Sequence, residues 1–292
     1  MSAQAHDPTF AVAFGGGGAR GLAHIHIVEA LDELGIRPVA VAGSSIGAII
    51  GAAVASGMSG VAIREHTLET LGHPTEVAAR MWRSRPERMS EMVTNGGRFG
   101  QFDVGRILKA FLPETLPERF EDLLIPLAVT ATDFYEYQET VFESGELLPA
   151  IAASAAVPGI FSPVICGDQL LIDGGISNPV PFDLLTEKAD IVIAIDVVGT
   201  PCRGKNGTPG SIDLLLGASQ IMMQSITALK LRQSRPQIML RPPVSKFRVM
   251  DFLKVRQVLE ETRELRDELK FAVEKAVARF AGGEEAEPLS RS

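Results

Sequence analysis

Two glycine-rich segments of this chain carry the residue types that acyl-transfer chemistry needs. Gly43-Ser44-Ser45-Ile46-Gly47 fits the pattern G-x-S-x-G, in which glycines allow a serine to sit on a sharp strand-to-helix turn. Gly15 to Gly18 form a loop whose backbone N–H groups can face a negative charge. A serine nucleophile beside an oxyanion cradle is the core of an acyl-transfer site. These segments together predict a serine hydrolase.

A serine hydroxyl needs a base to take its proton, and histidine is the usual one. The five histidines are His6, His24, His26, His66 and His73, so none lies beyond residue 73. In α/β-hydrolases the acid and then the histidine follow the serine in the chain. That order would require an acid and a histidine within a short distance after Ser45, which the positions of the predicted strands disfavour. A carboxylate acting directly on the serine is the remaining interpretation.

Three aspartates stand at predicted strand ends, where catalytic groups of open α/β sheets gather: Asp133, Asp173 and Asp196. Each could equally be a helix cap or a turn residue. Asp173 differs because Gly174 and Gly175 follow it and let the backbone turn tightly beside another element. The residue types narrow the base to these three aspartates and leave the choice among them open.

The elements that must position these residues alternate between strands and helices. Short apolar runs predict strands over 10–14, 39–42, 127–132, 170–172, 191–195 and 237–240. Helical spacing covers 22–34, with Gly35 as its cap, and 46–56, where Gly47 and Gly51 allow close approach to the sheet. Further helices are expected over 211–231 and 255–280. This order predicts one α/β domain over residues 1–280 with a mainly parallel sheet, followed by a disordered tail over 281–292.

Four local features carry expectations of their own. His24 shares a helix face with apolar residues and should be packed, whereas His26 shares a face with two glutamates and should be solvated. The charged stretch Arg83 to Phe102 is expected to be a surface excursion, either a lid or a plain insertion. The helix over 211–231 is dense in apolar residues. They could form an interfacial or dimer face, but a core helix is the expectation. Those residues are Leu214, Leu215, Leu216, Ile221, Met222, Met223 and Ile226.

Composition restricts the partners. The net charge of −8 and the lack of a basic tract argue against a nucleic-acid partner. An acidic surface also gives no general attraction to anionic lipid, so any contact with a membrane would be peripheral, local and apolar. Cys166 and Cys202 are too few for a disulfide framework, and no cluster for a metal is evident, so no cofactor is expected. With no targeting segment visible, the predicted location is cytoplasmic. The oligomeric state stays open.

Taken together, Phe14 to Gly21, Gly43 to Gly47, Ala152 to Pro158 and Asp173 to Gly175 resemble the patatin-like phospholipase family. The resemblance runs in order over about residues 10 to 200. It implies a three-layer α/β/α fold on which a serine–aspartate dyad hydrolyses acyl esters of lipids. The chain departs from the family pattern at His26, where glycine is common.

The resemblance also implies roles for single residues. Ser45 would be the nucleophile and Asp173 its base. Gly16, Gly17 and Gly18 would supply the oxyanion hole, with the N–H of Ile46 as a further donor and Arg20 bracing the loop. Burial should then raise the pKa of Asp173, because an ordinary carboxylate is a weak base for an alcohol.

Two other classes of function compete with this interpretation. Gly16, Gly18 and Gly21 also fit G-x-G-x-x-G, but the acidic residue that should bind a ribose at the end of the second strand is missing. The other competitor is a regulatory protein that keeps the fold without activity. The presence of all the expected catalytic elements weighs against it.

Overall fold

In the computed structural model, residues 7–83, 103–201 and 209–282 are described. They contain a mixed sheet of eight strands with helices on both faces. The strands are β1 Phe10–Phe14, β2 Ala40–Ser44, β3 Leu127–Asp133, β4 Gln138–Phe142, β5 Val164–Cys166, β6 Gln169–Asp173, β7 Ile191–Ile195 and β8 Ile238–Leu240.

The described residues contain helices in all four predicted regions and further helices between residues 60 and 154, which the sequence analysis did not predict. The helices are α1 His24–Glu33, α2 Ile46–Ala55, α3 Gly60–Leu71, α4 Pro74–Arg83, α5 Val104–Phe111, α6 Leu147–Ser154, α7 Ser211–Gln233, α8 Val255–Glu261 and α9 Leu265–Gly282. Short 3-10 helices include Gly18–Ala23 and Gly174–Ile176. The cap predicted at Gly35 is confirmed by its φ of +67° and by the hydrogen bond from Ile36 N–H to Leu31 O at 2.9 Å.

The sheet is parallel in its centre and antiparallel at one side. β1 pairs in parallel with β2 and β7, and these pair in parallel with β3 and β8. All residues of β1 and β7 are buried and apolar, as in a sheet covered on both faces. β4 and β6 pair antiparallel with β3, and β5 pairs antiparallel with β6. The predicted α/β fold with a mainly parallel core is confirmed. The predictions did not include β4, which is largely polar, or β5, whose apolar run Val164-Ile165-Cys166 is only three residues long.

Strands β2 and β6 meet end to end along the same side of β3. β2 pairs with β3 as far as Ser44 opposite Thr130, and β6 pairs with the next position, Asp173 opposite Ala131. β4 covers residues 129–133 of β3 on the other side, so β2 and β6 must share one side. Since β6 runs antiparallel, its last residue faces the end of β2. The register alone therefore brings Asp173 next to Ser45.

Two apolar clusters lie on the two faces of the sheet. The larger one packs α1, α2 and α8 against Val12 and its neighbours on one face. The smaller one packs Leu231 of α7 and the 3-10 helix Phe182–Leu185 against Ala11 and Ala13. Because neighbouring residues of β1 point to opposite faces, α1 and α7 cover opposite sides of the sheet.

Several boundaries differ from the predictions. The helix expected over 255–280 is two helices, α8 and α9, separated at residues 262–264. The helix expected from Leu22 begins as a 3-10 turn. Most of the excursion predicted over Arg83 to Phe102 lies outside the described residues, as do residues 283–292 of the predicted tail.

Helix α7 is neither short nor buried. Its segment Asp213–Gln233 is long and apolar enough to cross a membrane by length and composition, but only 11% of its most apolar stretch is buried. One such helix is weak evidence for a membrane span. The expectation of a core helix over 211–231 is wrong, because Leu214, Ile221 and Met222 are exposed.

Candidate active site

Ser45 occupies a strained turn between β2 and α2. Its φ of 55° and ψ of −122° lie in a region that residues with a side chain rarely adopt. The two glycines of the motif make this turn sterically feasible. A Cβ on Gly43 would lie 2.4 Å from Gly47 O, and a Cβ on Gly47 would lie 2.0 Å from Phe14 O. This is the local geometry that G-x-S-x-G predicts.

The Ser45 hydroxyl is within hydrogen-bonding distance of one carboxylate. Ser45 Oγ donates to Asp173 Oδ2 at 2.6 Å, and both residues are buried. The other carboxylate oxygen, Oδ1, accepts the Gly175 N–H at 2.8 Å, which orients the group. Gly174 is required for the same turn, because a Cβ there would lie 2.0 Å from Thr130 O. The aspartate and its two glycines thus act as one structural unit.

Burial raises the pKa of Asp173 to about 6, although the hydrogen bonds from Ser45 and Gly175 act in the opposite direction. The direction agrees with the expectation for a carboxylate that must accept a proton from an alcohol. At neutral pH the group is still ionised and can therefore act as a base.

The other two candidate bases have structural partners. Asp133 Oδ1 accepts the N–H groups of Tyr135 and Glu136, which stabilises the turn after β3. Asp196 Oδ2 pairs with Arg241 Nε at 3.1 Å, and its Oδ1 accepts the Val198 N–H. Of the three aspartates left open by the sequence, Asp173 alone bonds Ser45.

The glycine loop presents some, but not all, of the expected donors. Gly15 N–H donates to Ile195 O, and Gly16 N–H donates to Pro179 O at 2.9 Å. Gly16 is therefore not available as an oxyanion donor in this geometry, contrary to the expectation. The N–H groups of Gly17 and Gly18 have no acceptor among the described residues. A Cβ at Gly17 would lie 2.4 Å from Val197 O, so the backbone of the loop can approach Val197 this closely only with glycine at this position.

A further N–H is available at the start of α2. Ile46 is the first residue of this helix, so its N–H has no intrahelical acceptor. Gly21 packs directly on the Ile46 side chain, since a Cβ on Gly21 would lie 2.2 Å from Ile46 Cγ2. The glycine loop and the start of α2 are therefore in direct contact.

Arg20 bonds three segments that surround the glycine loop. Its buried guanidinium donates from Nε to Phe247 O at 2.7 Å and from Nη1 to Val198 O. With the Gln220 amide turned so that both of its polar atoms are satisfied, Gln220 Oε1 accepts from Arg20 Nη2 at 2.9 Å. Arg20 thus connects the glycine loop to the segment after β7, to the loop before α8 and to α7.

Ser154 is a site residue to which the sequence analysis assigned no role. Its buried Oγ accepts the backbone N–H of Ser45 at 2.8 Å. It is the only polar residue in the segment Ala152 to Pro158, and that contrast is the signal that could have identified it. The same segment also holds Asp173, because Ala156 O accepts the Asp173 N–H at 3.0 Å.

A narrow cleft of about 80 Å³ opens at the serine–aspartate pair. Its lining is mostly apolar and comes from the glycine loop, the turn at Ser45, the segment after α6, the ends of β6 and β7, α7 and the loop before α8. The lining includes Gly17, Gly18, Ser45, Val157, Pro158, Asp173, Ile176, Val198, Leu215, Leu216, Met223 and Val249. A second cavity, of about 660 Å³, is lined by His66, Lys109 and Glu114 among others and includes neither Ser45 nor Asp173. The chemistry locates the candidate site at the smaller cleft.

The histidines of α1 serve the framework. His24 is buried, as expected, and its Nε2 lies 2.9 Å from Gly15 O, to which the neutral ring can donate. Burial lowers the pKa of His24 to about 4, so the ring is neutral near pH 7. The expectation that His26 is solvated is wrong. His26 Nε2 lies 2.8 Å from Leu259 O of α8, and Arg64 and Glu29 lie beside its Nδ1.

The fold and site together define an α/β protein with a serine–aspartate pair at the junction of two strands. The family model described as patatin-like phospholipase matches residues 12–186, so the chain belongs to the patatin-like phospholipase family. An uncharacterized NTE family protein of Mycobacterium tuberculosis is 34% identical over 200 residues, which are 66% of this chain and 50% of that protein. The lysophospholipase NTE1 of Kluyveromyces lactis is 27% identical over 269 residues, which are 84% of this chain and 18% of that protein. The chain thus spans half or less of the length of these relatives.

Among solved structures, VipD from Legionella pneumophila is similar with a TM-score of 0.43 and 15% identity, covering 95% of this chain and 75% of that one. ExoU of Pseudomonas aeruginosa, solved with SpcU, is similar with a TM-score of 0.40 and 18% identity, covering 93% of this chain and 53% of that one.

Proposed function

We propose that this protein hydrolyses acyl esters of lipids, with Ser45 as nucleophile and Asp173 as its base. The observation that carries the proposal is the 2.6 Å hydrogen bond from Ser45 Oγ to Asp173 Oδ2 at the bottom of an apolar cleft. The family membership and the lysophospholipase among the relatives support a lipid ester as the substrate class. The apolar lining fits a fatty acyl chain better than a charged metabolite.

In the first step, Ser45 Oγ attacks the ester carbonyl carbon while Asp173 Oδ2 accepts the hydroxyl proton. The carbonyl π electrons move to the oxygen and form a tetrahedral oxyanion. When the oxyanion collapses, the bond to the alcohol oxygen breaks and the leaving alcohol takes the proton from Asp173. The products of this step are an acyl-enzyme on Ser45 and a free alcohol or lysolipid.

In the second step, water takes the place of the alcohol. Asp173 accepts a proton from the water as its oxygen attacks the acyl carbon, and a second tetrahedral oxyanion forms. Its collapse breaks the bond to Ser45 Oγ, which regains a proton from Asp173. The fatty acid leaves, and both residues return to their starting states.

The oxyanion of both steps would be stabilised by backbone donors. Gly17 and Gly18 are the donors of the glycine loop whose N–H groups lack acceptors among the described residues, and Ile46 adds the N–H at the start of α2. Removal of one donor from such a hole typically raises the barrier by about 3–4 kcal/mol. His24 contacts the loop at Gly15 O and does not line the cleft, whereas Arg20 lines the cleft and also holds the loop through its hydrogen bonds to Phe247 O and Val198 O.

The experiment that tests the proposal is intact-mass analysis after incubation with a fluorophosphonate. We expect one adduct on the wild type and none on Ser45→Ala. The matched control is Ser44→Ala, because Ser44 Oγ is buried next to the nucleophile and has no hydrogen-bond partner in the described part of the chain. The control should label like the wild type.

Hydrolysis of a water-soluble short-chain ester completes the test. Asp173→Asn should lose turnover by about a thousandfold or more, whereas Asp196→Asn should retain it unless the fold is lost. Absence of labelling and turnover in a folded wild-type protein would favour the regulatory alternative. Labelling that survives in Ser45→Ala would assign the nucleophile to another residue.

A further inference from the structure

The outer face of α7 carries an apolar stripe of four large side chains, on the same face as exposed Ser225 and Arg232. Leu214, Ile221, Met222 and Leu229 are 54%, 59%, 58% and 57% exposed. At 100° per residue these four positions fall within an arc of about 100° on one side of the helix. Large apolar side chains that remain exposed together at helical spacing point to a surface with a binding partner.

Polar contacts on the inner side fix the rotation of α7. Gln220 accepts from buried Arg20, and Gln224 Nε2 lies 3.4 Å from both carboxylate oxygens of Asp196. Near the C-terminal end of the helix, Lys230 Nζ pairs with Asp183 Oδ2 at 2.7 Å. Turning the stripe inward would break these contacts. The same contacts argue against a membrane-spanning role, since crossing a bilayer would carry these polar groups into hydrocarbon.

The stripe is continuous with the cleft at Ser45. Leu215, the neighbour of Leu214, is 52% exposed and also lines the cleft. Leu216 and Met223 of the same helix line the cleft from inside. A single helix thus presents apolar groups to the surroundings and to the reacting serine. An acyl chain that enters the cleft past Leu215 would meet a mostly apolar lining. Arg20, Ser219 and Gln220 contribute polar groups to the same lining.

We infer that the outer stripe of α7 is a docking surface for a neutral lipid bilayer, on which the helix lies flat beside the entrance of the cleft. The inference rests on the proposed function, which makes an aggregated lipid the source of the substrate. The net charge of −8 provides no general attraction to anionic lipid, so the contact is apolar and does not depend on basic residues. A phosphatidylcholine surface fits this chemistry.

Vesicle binding can be measured without catalysis. All proteins in this experiment carry Ser45→Ala, so that they bind without hydrolysing lipid. The fraction bound to phosphatidylcholine vesicles is measured by co-flotation at low and high salt. The test variant adds Leu214→Gln, Ile221→Gln and Met222→Gln, which keep good helix formers and leave the cleft residues unchanged. The control instead adds Val61→Gln and Phe271→Gln, on residues that are 57% and 58% exposed. These residues belong to α3 and α9, which contact α1 and so lie on the other side of the sheet from α7.

The expected result is that the triple variant loses about tenfold or more in partitioning to vesicles, whereas the control stays within about twofold and salt has little effect. Circular dichroism confirms that both variants are folded. The inference is overturned if the Ser45→Ala protein does not bind vesicles, or if the triple variant binds equally well. It is also overturned if sedimentation shows a dimer that the triple variant dissociates while no form binds vesicles. Hydrolysis of the soluble ester is assayed separately, on proteins that retain Ser45. If these proteins turn over the ester but no form binds vesicles, the docking surface is rejected and the proposed function stands.

Discussion

The backbone N–H of Ser45 donates a hydrogen bond to the hydroxyl oxygen of Ser154 at 2.8 Å. The contact joins the strained turn after β2 to the last residue of α6. An N–H in a turn of this kind has no acceptor in a regular ladder, so a side chain must supply one. The candidate nucleophile is therefore held by Asp173 at its hydroxyl and by Ser154 at its backbone.

Replacing Ser154 by alanine should weaken both stability and turnover. The buried Ser45 N–H would lose its acceptor, which typically costs about 1–3 kcal/mol of the free energy of unfolding. A looser turn should also lower kcat for a soluble ester about tenfold to a hundredfold. Chemical denaturation and steady-state kinetics measure the two effects. Ser56→Ala is the control, because Ser56 Oγ donates to Ala53 O at the end of α2 and does not contact the turn. Equal kcat values for Ser154→Ala and Ser56→Ala would contradict the positioning role.

The pKa of Asp173 predicts the acidic limb of the pH–rate profile. The group is raised to about 6 by burial and accepts a proton only when ionised. For a soluble ester, kcat/KM should rise with pH and reach half its maximum near pH 6. Measurement across pH 4.5 to 8 tests this directly. A flat profile through pH 6 in a folded enzyme would mean that Asp173 is not the titrating base.

The same shift predicts that the stability of Asp173→Asn relative to the wild type rises with pH. The raised native pKa means that the folded wild type binds its proton more tightly than the unfolded chain does, so wild-type stability falls as the pH rises from about 4 to above 6. An asparagine carries no such charge. The difference in unfolding free energy between the two proteins should move by about 2–3 kcal/mol in favour of Asp173→Asn between pH 4 and pH 8. Urea titrations at the two pH values measure this difference. If the pKa of Asp173 were not shifted in the folded protein, the difference in unfolding free energy would be the same at both pH values.

Burial of His24 lowers the stability of the protein at acidic pH. Its pKa is lowered to about 4, so the unfolded chain binds the proton first and stability is lost as the pH falls below about 6.5. His24→Gln can still donate to Gly15 O but cannot be protonated. Relative to this variant, the wild type should lose about 2.5 kcal/mol of unfolding free energy between pH 7 and pH 4.5. Asp173 titrates in this range too, but it is present in both proteins and cancels in the difference. A pH-independent difference would show that His24 can be protonated in the folded protein without cost.

Ser45 could be expected from the sequence because it lies in a short segment with strict steric demands, whereas Asp173 is singled out among three candidate aspartates only by the family resemblance. Gly43, Gly47 and Gly174 have no room for a Cβ, so the local sequence carries the constraint. The end-to-end meeting of β2 and β6 on β3 could not be predicted in this way. It depends on antiparallel pairing with β3 between segments far apart in the chain.

The errors on α1 and α7 share one cause. Periodicity shows which residues share a helix face, but not whether another element covers that face. His26 and Glu29 share a polar face, yet α8 and Arg64 cover it and satisfy its groups. The apolar face of α7 has the reverse outcome, with Ile221 and Met222 left exposed. The break between α8 and α9 likewise falls in a charged stretch that contains no glycine or proline to mark it.

The two glycines of α2 should differ sharply when changed to alanine. A Cβ on Gly47 would lie 2.0 Å from Phe14 O, a backbone atom of the central strand that cannot move aside. A Cβ on Gly51 would meet the ends of the Leu127 and Val41 side chains, each at 3.2 Å, and the Phe14 ring at 3.8 Å. Alanine also favours a helix by about 1 kcal/mol over glycine, which offsets the small adjustment at Gly51. We therefore expect the free energy of unfolding of Gly51→Ala to lie within about 1 kcal/mol of the wild-type value. That of Gly47→Ala should be lower by more than about 3 kcal/mol, or the protein should fail to fold. Thermal unfolding of the two variants beside the wild type measures the difference. A Gly47→Ala protein with wild-type stability and turnover would show that α2 need not approach β1 this closely for Ser45 to act.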